Sequence, residues 1–438
     1  MDQVSSSEKK FLGIVVQKGL TKFNFIALFL ATFFVGFLMI TPTVFIPRFL
    51  IEIIEIKEEN LGRINSTLAN IDQILAILLF GYIGALSDRK GRKILLVLGL
   101  LGAGISYFLF ATPKLIGNFL NLEPLIFVYL FRIFLSLSFT FAMPQTMTMI
   151  ADYTEIHTRG KGIALSVISM GAGIMAAFKV SGMLQEKVGL INVILFSGLI
   201  SILASLFAKT SLKDYMPHSE HKKESKGSWG KVFQTIKNSP KLKLCMAANF
   251  TQSAERMVLG IFLFSWMVKV ASEFGLTRAQ ATTHGGKVLA LSILFAFVGN
   301  PVWGVVIDKW GRMPAIIGGL LVEGLAFVWV GIIKNPFGLD MWFATILSGL
   351  GAGGIAIGAR TLTTDLAPKN VLGAIFGVFN SIGMIGAFVF VFVGGFIFDY
   401  LSYSMPLIVV GVFDLLILLY SIYVFLKNRN TKNGHEIS

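Results

Sequence analysis

Gly84-Ala85-Leu86-Ser87-Asp88-Arg89-Lys90-Gly91-Arg92-Lys93 is answered 220 residues later by Gly304-Val305-Val306-Ile307-Asp308-Lys309-Trp310-Gly311-Arg312, with Gly, Asp, Gly and Arg in the same relative places. Each copy closes one long apolar run and opens the next. Each therefore reads as a tight, charged hairpin between two membrane-embedded helices. Duplication around such hairpins describes a chain assembled from two related halves.

Composition agrees: 55% of residues are hydrophobic and only 14% are charged, with a mean hydropathy of +0.75. A bilayer-spanning helix needs about 20 mostly apolar residues. The sequence predicts twelve such spans, at 24–46, 66–87, 94–112, 124–150, 162–184 and 189–209 in the first half. Those of the second half fall at 244–269, 285–307, 314–333, 341–364, 372–398 and 404–426. The expected fold class is an all-α integral membrane protein with twelve transmembrane helices in two pseudo-symmetric six-helix halves.

A net charge of +14 would suggest nucleic acid in a soluble protein, but here the placement of the charge decides. Of the 38 Lys and Arg, 25 fall in seven segments: 1–23, 88–93, 152–161, 209–243, 308–314, 365–371 and 427–438. These are alternate loops plus both termini. The opposite loops carry few cations, namely Arg48, Lys57, Arg63, Lys114, Lys187, Arg278 and Lys334. The positive-inside rule then places both termini and the 209–243 segment in the cytoplasm, with an even number of spans. Basic charge reads as topology, so no nucleic-acid partner is expected; the expected surroundings are the bilayer of the cell (inner) membrane, with the chain multi-pass.

The first apolar run follows a charged 23-residue segment and is too long for the core of a cleavable signal, so it is expected to be retained as the first span. Cys245 is the only cysteine and excludes an intrachain disulfide. The stretch 209–243 holds nine lysines and little hydrophobic periodicity, although Trp229, Val232, Phe233 and Ile236 are spaced for one short interfacial helix. The expected organisation is a first half over 1–208, a basic cytoplasmic linker over 209–243 and a second half over 244–438.

These residues resemble the major facilitator superfamily. Gly84-x-x-x-Asp88-x-x-Gly91-Arg92-Lys93 is similar to its cytoplasmic signature between helices 2 and 3, and Gly304 to Arg312 to the weaker copy between helices 8 and 9. A second repeat supports the likeness: Asp152 with Gly160 after helix 4 corresponds to Asp365 with Gly373 after helix 10, 213 residues on. The resemblance covers essentially the whole chain. It implies a secondary active transporter working by alternating access, active as a monomer, with a conformational latch formed by Gly84, Asp88, Gly91, Arg92, Asp152, Gly304, Asp308, Gly311, Arg312 and Asp365. In that latch Asp88 would face the start of helix 11 near Leu372 and Gly373, where a carboxylate meets a helix's positive end. Arg92 would bridge to Asp152.

Ionisable residues inside spans are costly and mark function by default. In helix 7, Asn249, Gln252, Ser253, Arg256 and Gly260 share one polar face with Glu255 beside it; the alternative is a set of local polar contacts that only packs helix 7. Arg132, Ser136, Thr140 and Pro144 form a second stripe in helix 4, and Asp72 in helix 2 lies at comparable depth, as cavity residue or as buried ion-pair partner of Arg132. The expected cavity set is Asp72, Arg132, Asn249, Gln252, Glu255, Arg256 and Asn380, with Ser166, Ser169 and Gly173 as further lining. Lys179, Lys269 and Lys287 sit near outer helix ends and are read as snorkelling. Glu323 and Asp414 look deep in helices 9 and 12, but the resemblance makes those helices peripheral scaffold.

No nucleotide loop, nucleophile constellation or metal-ligand pattern stands out, so no cofactor and no enzyme is expected. The cavity charges balance except for Lys179, which favours an anionic or zwitterionic small organic solute, with proton coupling through Asp72 or Glu255. Two alternatives remain: a proton-driven multidrug or metabolite efflux antiporter, whose helix-5 motif is degraded here, and a non-transporting receptor or assembly factor on the same fold.

Overall fold

The computed structural model describes residues 10–215, 229–368 and 371–435; residues 216–228 of the expected lysine-rich linker lie outside them. The α-helices run α1 Lys22–Glu52, α2 Leu61–Lys90, α3 Arg92–Phe110, α4 Pro113–Leu120, α5 Pro124–Tyr153, α6 Arg159–Val188 and α7 Leu190–Ser211. They continue as α8 Trp229–Asn238, α9 Pro240–Val270, α10 Arg278–Trp310, α11 Arg312–Ile332, α12 Leu339–Leu366, α13 Leu372–Tyr400 and α14 Met405–His435. Twelve of them, all but α4 and α8, are long and apolar enough to cross a bilayer. Most extend a turn or two beyond the expected spans, because a helix continues its own backbone hydrogen bonds past the hydrocarbon edge.

The chain divides into two units. The first holds α1, α2 from Ile74, and α3 to α7; the second holds Ile56–Gln73 and α8 to α14. Residues 56–73, expected with the first half, group with the second because α13 takes hold of the start of α2. The Asp399 carboxylate accepts from the amides of Gly62 (2.7 Å) and Arg63 (2.9 Å). Two of the amide groups left open at a helix start are thereby satisfied. Asn65 donates to the Ser265 hydroxyl at 2.8 Å, and Asn70 to the Phe388 carbonyl at 3.2 Å.

The duplication seen in the sequence recurs in the packing of each unit. In the first, Gly104 of α3 and Gly198 of α7 sit where a Cβ on either would meet the other's carbonyl oxygen, at 3.0 and 3.1 Å. In the second, a Cβ on Gly411 of α14 would come within 2.7 Å of the carbonyl oxygen of Gly324 in α11. The offsets are again 220 and 213. Likewise Gly173 of α6 lies against the Phe33 carbonyl of α1, and Gly386 of α13 against the Phe250 carbonyl of α9. Small residues let membrane helices approach this closely.

The two signature turns share a backbone that only glycine adopts easily. Gly91 has φ 99° and ψ 140°, and Gly311 φ 93° and ψ 175°, each immediately before the next helix. Any side chain there would be strained.

Three elements lie outside the twelve spans. The charged leader contains a hairpin of β1 Lys10–Phe11 with β2 Ile14–Val15. It docks on the turn after α5, where Gln17 N donates to Tyr153 O at 3.0 Å and Glu155 N to Val15 O at 3.1 Å. Helix α8 occupies the expected interfacial position, but Val232 and Ile236 pack onto the second unit's core while Phe233 stays exposed. Helix α4 was not expected. Its Leu115 and Phe119 are 72% and 87% exposed, the pattern of a helix lying along a membrane interface.

Candidate functional site

Arg92 ties the first signature turn to the end of α5. Its guanidinium pairs with Asp152, donates to the Thr148 carbonyl at 2.9 Å, and reaches Asp88 at 3.4 Å. The second copy repeats the arrangement, with Arg312 Nε 2.8 Å from Asp365. Asp88 and Asp308 are both exposed. A Cβ built on Gly84 or Gly304 would meet nothing within 4 Å. Asp214, just beyond α7, adds an unexpected member: its carboxylate accepts from Lys93 N at 2.9 Å and so caps α3.

The polar face read from helix 7 separates into parts. Asn249 is buried, and its amide donates to the Phe379 carbonyl of α13 at 2.7 Å, which makes it a helix-to-helix bond. Gln252 is also buried. Arg256 is exposed although it lies near the middle of a span, and no carboxylate pairs with it among the described residues. It acts electrostatically on Arg360 of α12, likewise exposed, and on the buried Glu255 and Glu323. Arg360 stands five residues before Asp365 in the sequence, but Arg312 holds that carboxylate. Asn380 on α13 is exposed.

Glu255 points the other way. It is 1% exposed, its carboxyl lies within hydrogen-bonding reach of Glu323 on α11 and of Asp414 on α14, and those two are 1% and 0% exposed. The reading of Glu323 and Asp414 as scattered scaffold acids is thus corrected to a cluster of three carboxyls. A signal existed: each is the acid at the middle of its span, in helices 7, 9 and 12.

Other expected residues differ in burial and bonding. Arg132 is 4% exposed in α5 and Asp72 is half-buried in α2. The Ser169 hydroxyl donates to the Phe29 carbonyl at 2.7 Å, and Ser166 is fully buried. Lys269 does not snorkel into solvent. Its ammonium donates to the Glu58 carbonyl at 2.7 Å and stands 4.7 Å from the Tyr403 ring. Among the described residues, no group of three or more His, Cys, Asp or Glu is placed to hold a metal ion.

A family profile described as the Major Facilitator Superfamily matches residues 28–283 and again 245–437. Magnetosome protein MamH of Paramagnetospirillum magneticum is 28% identical over 89% of this chain and 90% of its own length. Magnetosome protein MamZ of the same organism is 27% identical over 95% of this chain, which spans only 65% of that relative. A multi-drug resistance efflux pump PmrA homolog of Lactococcus lactis is 20% identical over 78% of this chain and 80% of its own. Among solved structures, the nucleoside transporter NupG superposes with a TM-score of 0.69 at 13% identity, covering 92% of this chain and 98% of that one. An inward-facing bacterial homolog of the lysosomal transporter Spinster gives 0.67 at 14%, covering 93% and 97%. At such identities the structures establish the fold alone. With twelve spans, a duplicated signature and a profile that matches across both halves, the chain belongs to the Major Facilitator Superfamily of multi-pass membrane transporters.

Proposed function

We propose that the protein is a secondary active transporter that moves a small anionic or zwitterionic organic solute by alternating access, coupled to protons. The observation that carries this reading is the pair Arg256 and Arg360. Two guanidiniums that repel each other, neither in a salt bridge among the described residues, are unfavourable in a low-dielectric medium, and a cation near mid-span faces water or a solute rather than lipid. A negatively charged group supplies what the pair lacks, and a guanidinium fork suits a carboxylate or phosphate bidentately. The Arg92–Asp152 and Arg312–Asp365 pairs support the latch role, as contacts able to re-form when a bundle changes state.

The membrane concerned is the cell membrane or a compartment derived from it. The likeness to MamH and MamZ over nearly the whole chain supports a magnetosome-type membrane for this transporter. Proton-driven efflux is the second reading, supported by the efflux pump homolog.

Uptake into proteoliposomes, screened against carboxylate- and phosphate-bearing metabolites with and without a pH gradient, tests the proposal. Arg256→Lys should keep charge and weaken binding partially, whereas Arg256→Ala should abolish it. Full transport of an anionic solute by a well-folded Arg256→Ala protein would sink the anionic reading.

A further inference from the structure

We propose that Glu255, Glu323 and Asp414 form a proton-binding site inside the second unit, one that keeps exchangeable protons at neutral pH. Five of their oxygens, both of Glu255, both of Asp414 and Oε2 of Glu323, are buried with no hydrogen-bond donor. Ionised carboxylates offer each other none. The contacts among the three become hydrogen bonds only when a proton sits between them. The Thr251 hydroxyl stands beside Asp414 and also 3.3 Å from the Ala248 carbonyl, so it offers the three acids one donor at most.

The duplication shows that packing does not demand these acids. The offsets of 217, 220 and 213 that relate Phe33 to Phe250, Gly104 to Gly324 and Gly198 to Gly411 relate Glu255 to Leu38, Glu323 to Ala103 and Asp414 to Ser201. Leu38, Ala103 and Ser201 are themselves 0% exposed. The first unit thus fills the same three places with one aliphatic residue, one methyl group and a hydroxyl that donates to the Leu100 carbonyl at 2.6 Å. Three adjacent negative charges in a low-dielectric interior are prohibitive, so such groups share protons and titrate as a unit. The proton comes from water and returns to it, with no bond between heavy atoms changed.

Arg256 on α9 is the charged residue that acts on the cluster from outside it. On α12, Gly351 packs against the Glu323 backbone and brings no charge. Arg256 stabilises negative charge on the cluster. An anion bound to Arg256 cancels that stabilisation and favours uptake of a proton, and by linkage the proton strengthens binding of the anion. This sign gives co-transport; the coupling step, unlike the proton site itself, rests on the anionic reading above.

The test is infrared difference spectroscopy of the full-length protein in lipid nanodiscs across a pH titration. Wild type should show a protonated-carboxyl band at neutral pH, part of which is lost in each of Glu255→Gln, Glu323→Gln and Asp414→Asn. The combined variant Glu255→Leu, Glu323→Ala, Asp414→Ser copies the first unit. It should fold with a melting temperature at least equal to wild type and lose the band entirely. In Arg256→Ala the band should persist to pH values about one unit or more higher. No such band in folded wild type, or a band that survives in the combined variant, overturns the proposal. So does a band that sodium or magnesium ions abolish at constant pH, which would mark a metal-cation site. A band behaving as expected, alongside normal anion transport by Arg256→Ala, would leave the proton site standing and remove the anionic reading.

Discussion

Asp399 grips Arg63 twice, through the backbone amide at 2.9 Å and through Nε at 3.2 Å, while its own side chain is 1% exposed. The same carboxylate caps α2 by way of Gly62, so one residue of α13 fixes where α2 begins. Asp399→Ala removes a helix cap, an effect of about 1–2 kcal/mol, and leaves the half-buried Arg63 without its partner. Asp399→Asn keeps an acceptor and should cost less. Thermal unfolding in detergent should rank wild type, Asn and Ala in that order, and equal melting temperatures would show that the contact is not formed in solution.

Arg92 and Asp88 are expected to differ in stability although both belong to the signature. Asp152 is largely buried against Arg92, whereas Asp88 is 57% exposed on a 3.4 Å contact. Arg92→Ala leaves a carboxylate with its main partner gone, at a cost of about 1–3 kcal/mol, and Asp88→Asn should be within about 0.5 kcal/mol of wild type. Both should slow transport if the latch is real. Labelling of single engineered cysteines on each side of the membrane would report it, and unchanged labelling with normal flux in both variants would leave the charges a topological role only.

Two glycines of α13 should respond to alanine with opposite sign. A Cβ at Gly386 collides with the Phe250 backbone, while one at Gly377 meets nothing within 4 Å. Gly386→Ala should destabilise by about 1–3 kcal/mol through forced helix separation. Gly377→Ala should be neutral or gain up to about 1 kcal/mol. The contrast is read from paired thermal melts.

The 209–243 segment should be cut by protease from the cytoplasmic face, given its nine lysines. Digestion of inside-out and right-side-out vesicles settles the orientation. Cleavage confined to the outer face would reverse the assigned topology.

The spans, the two turns and the duplication were legible because each is local: an apolar run of sufficient length, or a Gly that must adopt φ near +95°. The pairing of Arg92 with Asp152 was reachable through resemblance. What escaped was tertiary. Ser169 looked like a cavity hydroxyl, yet it also bonds to the Phe29 carbonyl of α1. Glu323 and Asp414 share mid-span depth with Glu255, but nothing in three separate helices states which faces converge. The repeat offset held a second hint. Applied position by position, it pairs Glu323 with Ala103 and Asp414 with Ser201, and acids that replace small residues in a buried frame call for an explanation. The leader hairpin escaped because two-residue strands leave no periodicity to read.

The glycine contacts that hold α3 to α7 and α11 to α14 use the same close approach at repeat-related positions, and this creates a hazard during synthesis. Gly104 offers the Gly411 stretch of α14 the same close backbone approach that it offers Gly198 of α7, so a crossed pairing of helices from different halves would compete with the native one, with Asp414 against it. Order of emergence works against it. Helix α7 ends at Ser211, and α14 begins only at Met405; α3 therefore meets its own partner while the rival is still unmade. Domains that complete themselves from the N-terminus escape misassembly in this way. A chain whose halves were expressed separately and mixed after denaturation would lose that protection, and its yield of native bundle should fall below that of the chain translated in sequence.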